Sequence, residues 1–334
     1  MEIVPATTRD YPALVELYDR YAFALRRREW LDWKYTRGPY GRTLTFLVRQ
    51  DGRLVGAASL LPRVWHYGGR RLVGLQFVDG LLGAEVRGQR VFRDLTAFLL
   101  RQPPASGEVV EAYFYLTVSS VAASVKACAN AGLHPLGRFA LFTRVIDPGA
   151  LARVPRLAWL TPLARLVRPL ADAVSLGGLG RGITVEEIRR FDRDLTWLFA
   201  PGTVHGDRSV EFLNWRVFEN PQARLRAFLL HERGELAGYI ILKEAGESLE
   251  IMDLKFVAPR ARYLAAFLRH VAVQRLAASV DCSLLPGHPY RRLLRRVGFL
   301  PRGARGVFYV HRLAEAGLPA DVAAWDINYL DSDW

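Results

Sequence analysis

The chain has only two cysteines, Cys128 and Cys282, in 334 residues. That excludes a disulfide framework, and with seven histidines at no ligand spacing it offers no metal site. No apolar run approaches the roughly 18 residues a membrane helix needs. The first residues, MEIVPATTRDYPALVELYDRYA, have neither a basic start nor an apolar stretch, so no signal peptide is expected. Ser119, Ser120 and His134 lack a nucleophile elbow around them. The run GGLGRG at 177–182 lacks a preceding strand and a following Lys-Ser/Thr, so it is not a P-loop. The expectation is a reduced, cytoplasmic protein, either free or peripheral at the inner membrane face.

Lysine is also scarce. Only Lys34, Lys126, Lys243 and Lys255 stand among 46 basic residues, against 33 acidic ones, for a net charge of +13. Such an excess draws phosphates: nucleic acid, anionic lipid or a phosphate-bearing cofactor. A solvated arginine-rich surface of compositional origin accounts for it equally well.

Aromatic and apolar residues are plentiful, 51% hydrophobic and 11% aromatic, enough for two cores at this length. The sequence repeats itself at a constant offset of 182. Leu31, Trp33, Pro39, Arg42, Phe46, Leu47, Gly52, Leu54 and Gly56 recur as Leu213, Trp215, Pro221, Arg224, Phe228, Leu229, Gly234, Leu236 and Gly238. A period this long marks a duplicated domain and not a solenoid. Each copy reads as a short helix stopped by proline, then a hairpin turning on Gly52 or Gly234. Thr43–Val48 and Leu54–Leu61 form the first hairpin; Leu225–Leu230 and Leu236–Leu242 form the second. Thr8 or Asp10 caps a helix whose face carries Leu14, Leu17, Tyr18 and Tyr21, and Leu195–Phe199 is expected to be helical. Each half closes with strand, loop, helix, strand, helix and strand, a mixed α/β order.

That order, with DGLLGAEVRGQRVFRDL at Asp79–Leu95, resembles the GNAT acyltransferase fold. The fold class implied is two tandem GNAT-like domains, each a mixed, mostly antiparallel sheet flanked by helices. The boundaries fall at 1–147, a linker at 148–182, a degenerate second copy at 183–313 and a tail at 314–334. The resemblance implies an acyl-CoA site at Leu81, Leu82, Arg87, Gly88, Gln89, Arg90, Val91 and Phe92. Leu81–Leu82 would offer a strand edge to the pantetheine arm, and the helix start would hold the pyrophosphate. Arg90 and Phe92 depart from the family pattern, standing where it has Gly and Gly or Ala. The second copy has no glycine at this junction. The chain is similar in particular to bacterial tandem proteins presumed to modify amino groups in cell-surface polysaccharide pathways.

Acyl transfer to an amine needs a base, an oxyanion partner and a proton for the leaving thiolate. Asp79 is the candidate base; a buried, hydrogen-bonded aspartate is the other reading. The family's tyrosine four residues before the late glycine is missing twice: Cys128 precedes Gly132 and Leu294 precedes Gly298. Cys128 is either a proton donor or a small core residue. Tyr113 and Tyr115 share one sheet face and are the substitutes.

Two segments stand outside the repeats. At 148–182 prolines at 148, 155, 162 and 169 punctuate leucines and arginines. This reads as a bridge packed across both domains or as a segment on an anionic membrane. The tail AWDINYLDSDW sets Asp326, Asp331 and Asp333 among Trp325, Tyr329 and Trp334. It either docks into a basic cleft or packs on the surface. The resulting expectation is an N-acyltransferase using acetyl-CoA or another acyl-CoA and a small-molecule or glycan amine. The alternatives are a FemX-like enzyme taking aminoacyl-tRNA and a non-catalytic binding protein.

Overall fold

The computed structural model describes residues 1–21, 27–86, 90–103, 110, 112–117, 122–130, 132–149, 159, 162–163, 166, 178–312 and 317–332, with backbone alone at 115–117, 122–124, 127 and 312. The first repeat opens with β1 (Glu2–Pro5), α1 (Tyr11–Arg20) and α2 (Arg28–Leu31), which widens into a π turn over Asp32–Thr36. It continues through β2 (Leu44–Gln50), β3 (Arg53–Tyr67), β4 (Arg70–Leu82), α3 (Val91–Leu99), β5 (Ala112–Thr117), α4 (Ala122–Asn130) and β6 (His134–Val145). The second runs β7 (Ile183–Ile188), β8 (Val204–Gly206), α5 (Val210–Val217), β9 (Leu225–Glu232), β10 (Glu235–Ala245), β11 (Ser248–Phe256), α6 (Ala261–Val273), β12 (Ser279–Leu284), α7 (Tyr290–Arg296) and β13 (Leu300–Arg312). A short β14 (Trp325–Asp326) lies in the tail.

Both expected hairpins form. Asp51 and Gly52 take φ of 50° and 75°, and Arg233 and Gly234 take 55° and 85°. Two left-handed residues in a row match the twist of a two-residue hairpin. Thr7 and Asp10 form a capping box at the start of the first helical segment. Tyr11, Leu14, Leu17 and Tyr18 make the buried face of α1, while Tyr21 is only partly buried. Leu195–Phe199 holds a single 3-10 turn, Thr196–Leu198, where a helix was expected. The chain between this turn and α5 is used by β8, which pairs with β3 and β14.

Among the described residues, one continuous sheet runs β1-β2-β3-β4-β5-β13-β6-β12-β11-β10-β9-β7. The order shows an exchange. Strand β6 leaves its own repeat to pair with β12, and β13 crosses the other way to pair with β5. The two exchanged strands pair with each other at the centre. Trp33 and Trp215, the most conspicuous repeated residues, meet each other across the two repeats. Their rings stack 4.7 Å apart. Each indole N–H donates to the other's carbonyl oxygen, at 3.0 and 3.2 Å. One core joins α1, α2, α5 and the inner sheet faces of both repeats; separate cores lie beneath α3 and beneath α6–α7.

The tail is part of the inner core. Trp325, Ile327, Tyr329, Leu330, Asp331 and Ser332 are buried, and β14 pairs with β8. Among the described large apolar residues of the linker, Trp159, Leu163 and Leu166 are 74%, 55% and 78% exposed, while Leu179 packs against the core beneath α6–α7. Among the described residues, no helix is long and apolar enough to cross a membrane.

Candidate active site

Strands β4 and β5 run parallel in register from Gly74 opposite Ala112 to Gln76 opposite Phe114, and then part. β4 continues to Leu82, paired only with β3 on its far edge. The divergence coincides with a bulge. Ser59 faces Val78 and Ala57 faces Leu81, so Ala58 opposes both Asp79 and Gly80. Asp79 takes a left-handed φ of 51°. An extra residue bends a strand and re-aims its side chains. Among the described residues the edge through Leu81 and Leu82 therefore has no strand on its β5 side, a V-shaped opening in the ladder, with Leu81 buried and Leu82 half-buried.

The chain turns through Ala84–Val86 toward α3. Arg87, Gly88 and Gln89 lie outside the described residues. Arg90 is the N-cap, with φ of 62° and ψ of 1°. The residue that departs from the family's glycine thus keeps a glycine-like backbone. A side chain in this region costs about 1 kcal/mol. Arg90→Gly is expected to raise folding stability by about that amount, less the greater flexibility of glycine when unfolded; urea denaturation reads the change. Val91 is buried, and Phe92 packs over α4.

Asp79 points inward, beneath α1 and α2. Its Oδ2 accepts from Lys34 Nζ at 2.7 Å and from Tyr35 Oη at 3.0 Å. Both members of the ion pair have fully buried side chains. The ammonium of Lys34 also lies 4.5 Å from the Trp30 ring centre. Burial, and next the Asp79 charge, push the Tyr35 phenol well above its usual range. Direct proton abstraction by Asp79 would have to break this pair. Lys34 and Tyr35 were not picked out from the sequence. Their signal was scarcity: Lys34 is the sole lysine before Lys126, and it sits inside the repeated tryptophan motif.

The other candidates lie on the opposite face. Tyr113 packs in the core beneath α3 and donates to the Gln102 carbonyl at 2.9 Å. Burial raises its phenol above the usual range. Tyr115 sits opposite Tyr309 of β13 by backbone register; its side chain lies outside the described residues. Cys128 is fully buried among Leu133, Val307 and Tyr309, with Phe92 and Val125 beside it. The fold therefore brings Cys128 and Phe92 together and sets Asp79 apart from them. Among the described residues no group of three or more His, Cys, Asp or Glu could hold a metal.

The equivalent opening in the second repeat is bridged. β11 and β12 are in register from Ser248 opposite Ser279 to Ile251 opposite Cys282, and not beyond. There the edge N–H of Phe256 donates to Tyr290 Oη at 2.9 Å. Asp326 of the tail spans the gap, pairing with Lys255 at the end of β11 and with His288 just past β12. Burial works against the Asp326 charge, but His288 and Lys255 outweigh it and hold the carboxyl below its usual range. Counting back from the paired glycines Gly298 and Gly132, the first repeat has Ser124 where the second has Tyr290.

No family model matches the sequence, and neither does any curated protein. Solved structures do match its fold. A GCN5-related N-acetyltransferase from Anabaena variabilis superposes with a TM-score of 0.63 at 12% identity, over 96% of this chain and 75% of that one. A tandem GNAT protein from the clavulanic acid biosynthesis pathway superposes at 0.55 with 17% identity, over 95% and 99%. N-myristoyltransferase of Saccharomyces cerevisiae, solved with bound myristoyl-CoA, superposes at 0.56 with 9% identity, over 92% and 82%. At these identities the likeness is one of fold: two tandem GNAT-like domains.

Proposed function

We propose that this chain is an acyl-CoA-dependent N-acyltransferase with one working cofactor cleft, in the first repeat. The observation that carries this is the asymmetry of the two openings. Among the described residues the β4 edge past Gln76 has no β5 partner, whereas the matching edge of β11 is engaged by Tyr290 and crossed by Asp326. An unpaired strand edge suits an extended amide-bearing arm, as a peptide adds to a sheet. The start of α3 suits a pyrophosphate, because its first N–H groups lack partners within the helix. Arg87 and Arg90 would add charge there.

In the reaction the amine nitrogen attacks the thioester carbon, the C–S bond breaks, and the sulfur leaves with its electron pair. The Lys34–Asp79–Tyr35 group stiffens the bulge that shapes the opening. The acceptor we infer is an amine, with an amino sugar of a surface-polysaccharide precursor as the first class to test; the sequence resemblance supports that class.

Calorimetric titration with acetyl-CoA and a long-chain acyl-CoA tests the reading. Micromolar binding is expected, weakened on the order of 10-fold or more in Arg87→Ala, the range for a lost charged hydrogen bond. Absence of binding with both ligands would overturn it.

A further inference from the structure

We propose that Tyr309, carried to the first repeat's cleft by the exchanged strand β13, donates the proton to the leaving thiolate. This rests on the acyl-CoA reading above. The helix α4 carries Cys128 where a tyrosine would stand in the resembling family, and the sequence of the first repeat supplies no replacement on that helix. The exchange of strands does. β13 lies against β5 with Tyr309 opposite Tyr115. Tyr115 is the first β5 residue past the last registered pair with β4, so Tyr309 stands level with the mouth of the opening. It is one strand away, a spacing of about 4.8 Å.

The ring lies on the face covered by α4. Tyr309 is buried with Cys128, Val307 and Leu133, beside Phe92 and Val125. Its Oη reaches the Val125 carbonyl of α4 at 3.5 Å. The small Cys128 leaves room for a ring entering from the sheet instead of from the helix. The second cleft receives nothing comparable. By the same register, the first β12 residue past the last pair with β11 is Ser283, and β6 sets the apolar Leu141 opposite it. Of the two exchanged strands, β13 alone brings a phenol to this level; the phenol in the second opening, Tyr290, comes from α7 and is taken up by the Phe256 N–H.

The step balances. The amine nitrogen forms the new C–N bond, and the C–S bond breaks with its pair going to sulfur. The phenolic proton moves to sulfur. The nitrogen sheds one proton, which returns to the phenolate through solvent. Burial first, and then Cys128, raise the Tyr309 phenol above its usual range against the opposing charge of Arg138. The group therefore stays protonated at neutral pH and has a proton to give.

The test is thiol release from acetyl-CoA with primary amines, glucosamine first, then amino acids and spermidine. Tyr309→Phe is expected to lower kcat about 100-fold, the lower side of general acid catalysis. Its KM for acetyl-CoA should stay within about twofold, and the alkaline limb of the kcat profile should vanish. Moving the ring to the helix in Tyr309→Ala/Cys128→Tyr, a roughly volume-conserving exchange, should restore part of the lost kcat. Undiminished kcat in Tyr309→Phe overturns the inference and leaves acyl transfer standing. Equal loss of kcat and of acetyl-CoA binding also overturns it, by making Tyr309 structural. A wild-type protein that releases no thiol with any amine overturns acyl transfer, and this inference with it.

Discussion

Asp331→Asn is expected to destabilise the fold by about 3–5 kcal/mol, the range for removing one partner of a buried ion pair. Asp331 holds two arginines. Its carboxylate accepts from Arg208 Nη1 and Nη2 at 2.9 and 3.0 Å, and from Arg63 Nη2 at 3.4 Å. None of the three side chains is more than 1% exposed. Arg208 keeps a second partner, Asp253, at 2.6 Å. Arg63 keeps the face of Phe212, 4.6 Å away, and its Nε and Nη1 find no hydrogen-bond partner among the described residues. Burial already pulls the Arg63 guanidinium below its usual range. Loss of the carboxylate bonded to it leaves a buried charge supported only at longer range, by Asp207 among the described residues. The packing is close: a side chain at Gly206 would sit 2.2 Å from Asp331 Oδ1. Asn therefore fits where Asp did, and the loss reads charge and not shape. Urea denaturation gives the figure. Adding Arg63→Met should recover part of it, since an apolar replacement of a stranded charge removes the penalty. A change below 1 kcal/mol on the same assay would contradict this account.

His205 governs acid sensitivity. Its ring is stacked on Phe199 at 4.3 Å and on His66 at 5.3 Å, and its Nδ1–H donates to the Gly206 carbonyl. Burial, with added repulsion from Arg208 and His66, lowers its pKa from 6.5 to about 4 against the opposing pulls of the Gly206 carbonyl and Asp326. Between those values the unfolded chain takes up a proton that the folded chain refuses. Stability is therefore full above pH 6.5, falls as pH drops toward 4, and changes no further below it through this group. The loss is roughly 3 kcal/mol at about 1.4 kcal/mol for each pH unit of the window. His205→Phe should remove that component while keeping the stack. Denaturation of both proteins at pH 7 and pH 4.5 isolates it, because His270 and His311, whose pKa values burial also lowers, remain in both. Asp207 and Asp326 are held below the usual carboxylate range. Their contribution is present above that range and is lost at more acid pH. A parallel fall in the two proteins would show that His205 is not the cause.

The repeat was legible because glycine, proline and tryptophan are each hard to replace in place. Gly52 and Gly234 are required by left-handed turns. Trp33 and Trp215 are required by an interface in which each is the other's hydrogen-bond acceptor. The candidate site was legible only along the chain: the β4 edge, the loop and the start of α3 are one segment, Asp79–Leu95. The partners that decide what Asp79 does were not legible. Lys34 lies 45 residues away, and an aspartate in a strand carries no mark of being salt-bridged. The acidic tail was read either as docking into a basic cleft or as packing on the surface; that Asp331 and Asp326 serve two different basic sites was not legible.

By itself the sequence determined local geometry and the duplication: hairpins, helix faces, the loop entering α3 and the equivalence of two halves. These follow from backbone sterics and from apolar periodicity, which act over a few residues. Tertiary structure alone decided which half keeps an open strand edge, and which strand stands beside it. β6 and β13 alternate alike and can each pair with either repeat, since strand pairing is made by backbone groups that every residue has. Their exchange sets Tyr309 against Cys128, and the tail bridges the other opening through Asp326. Contacts between residues this far apart are fixed only when the whole sheet closes.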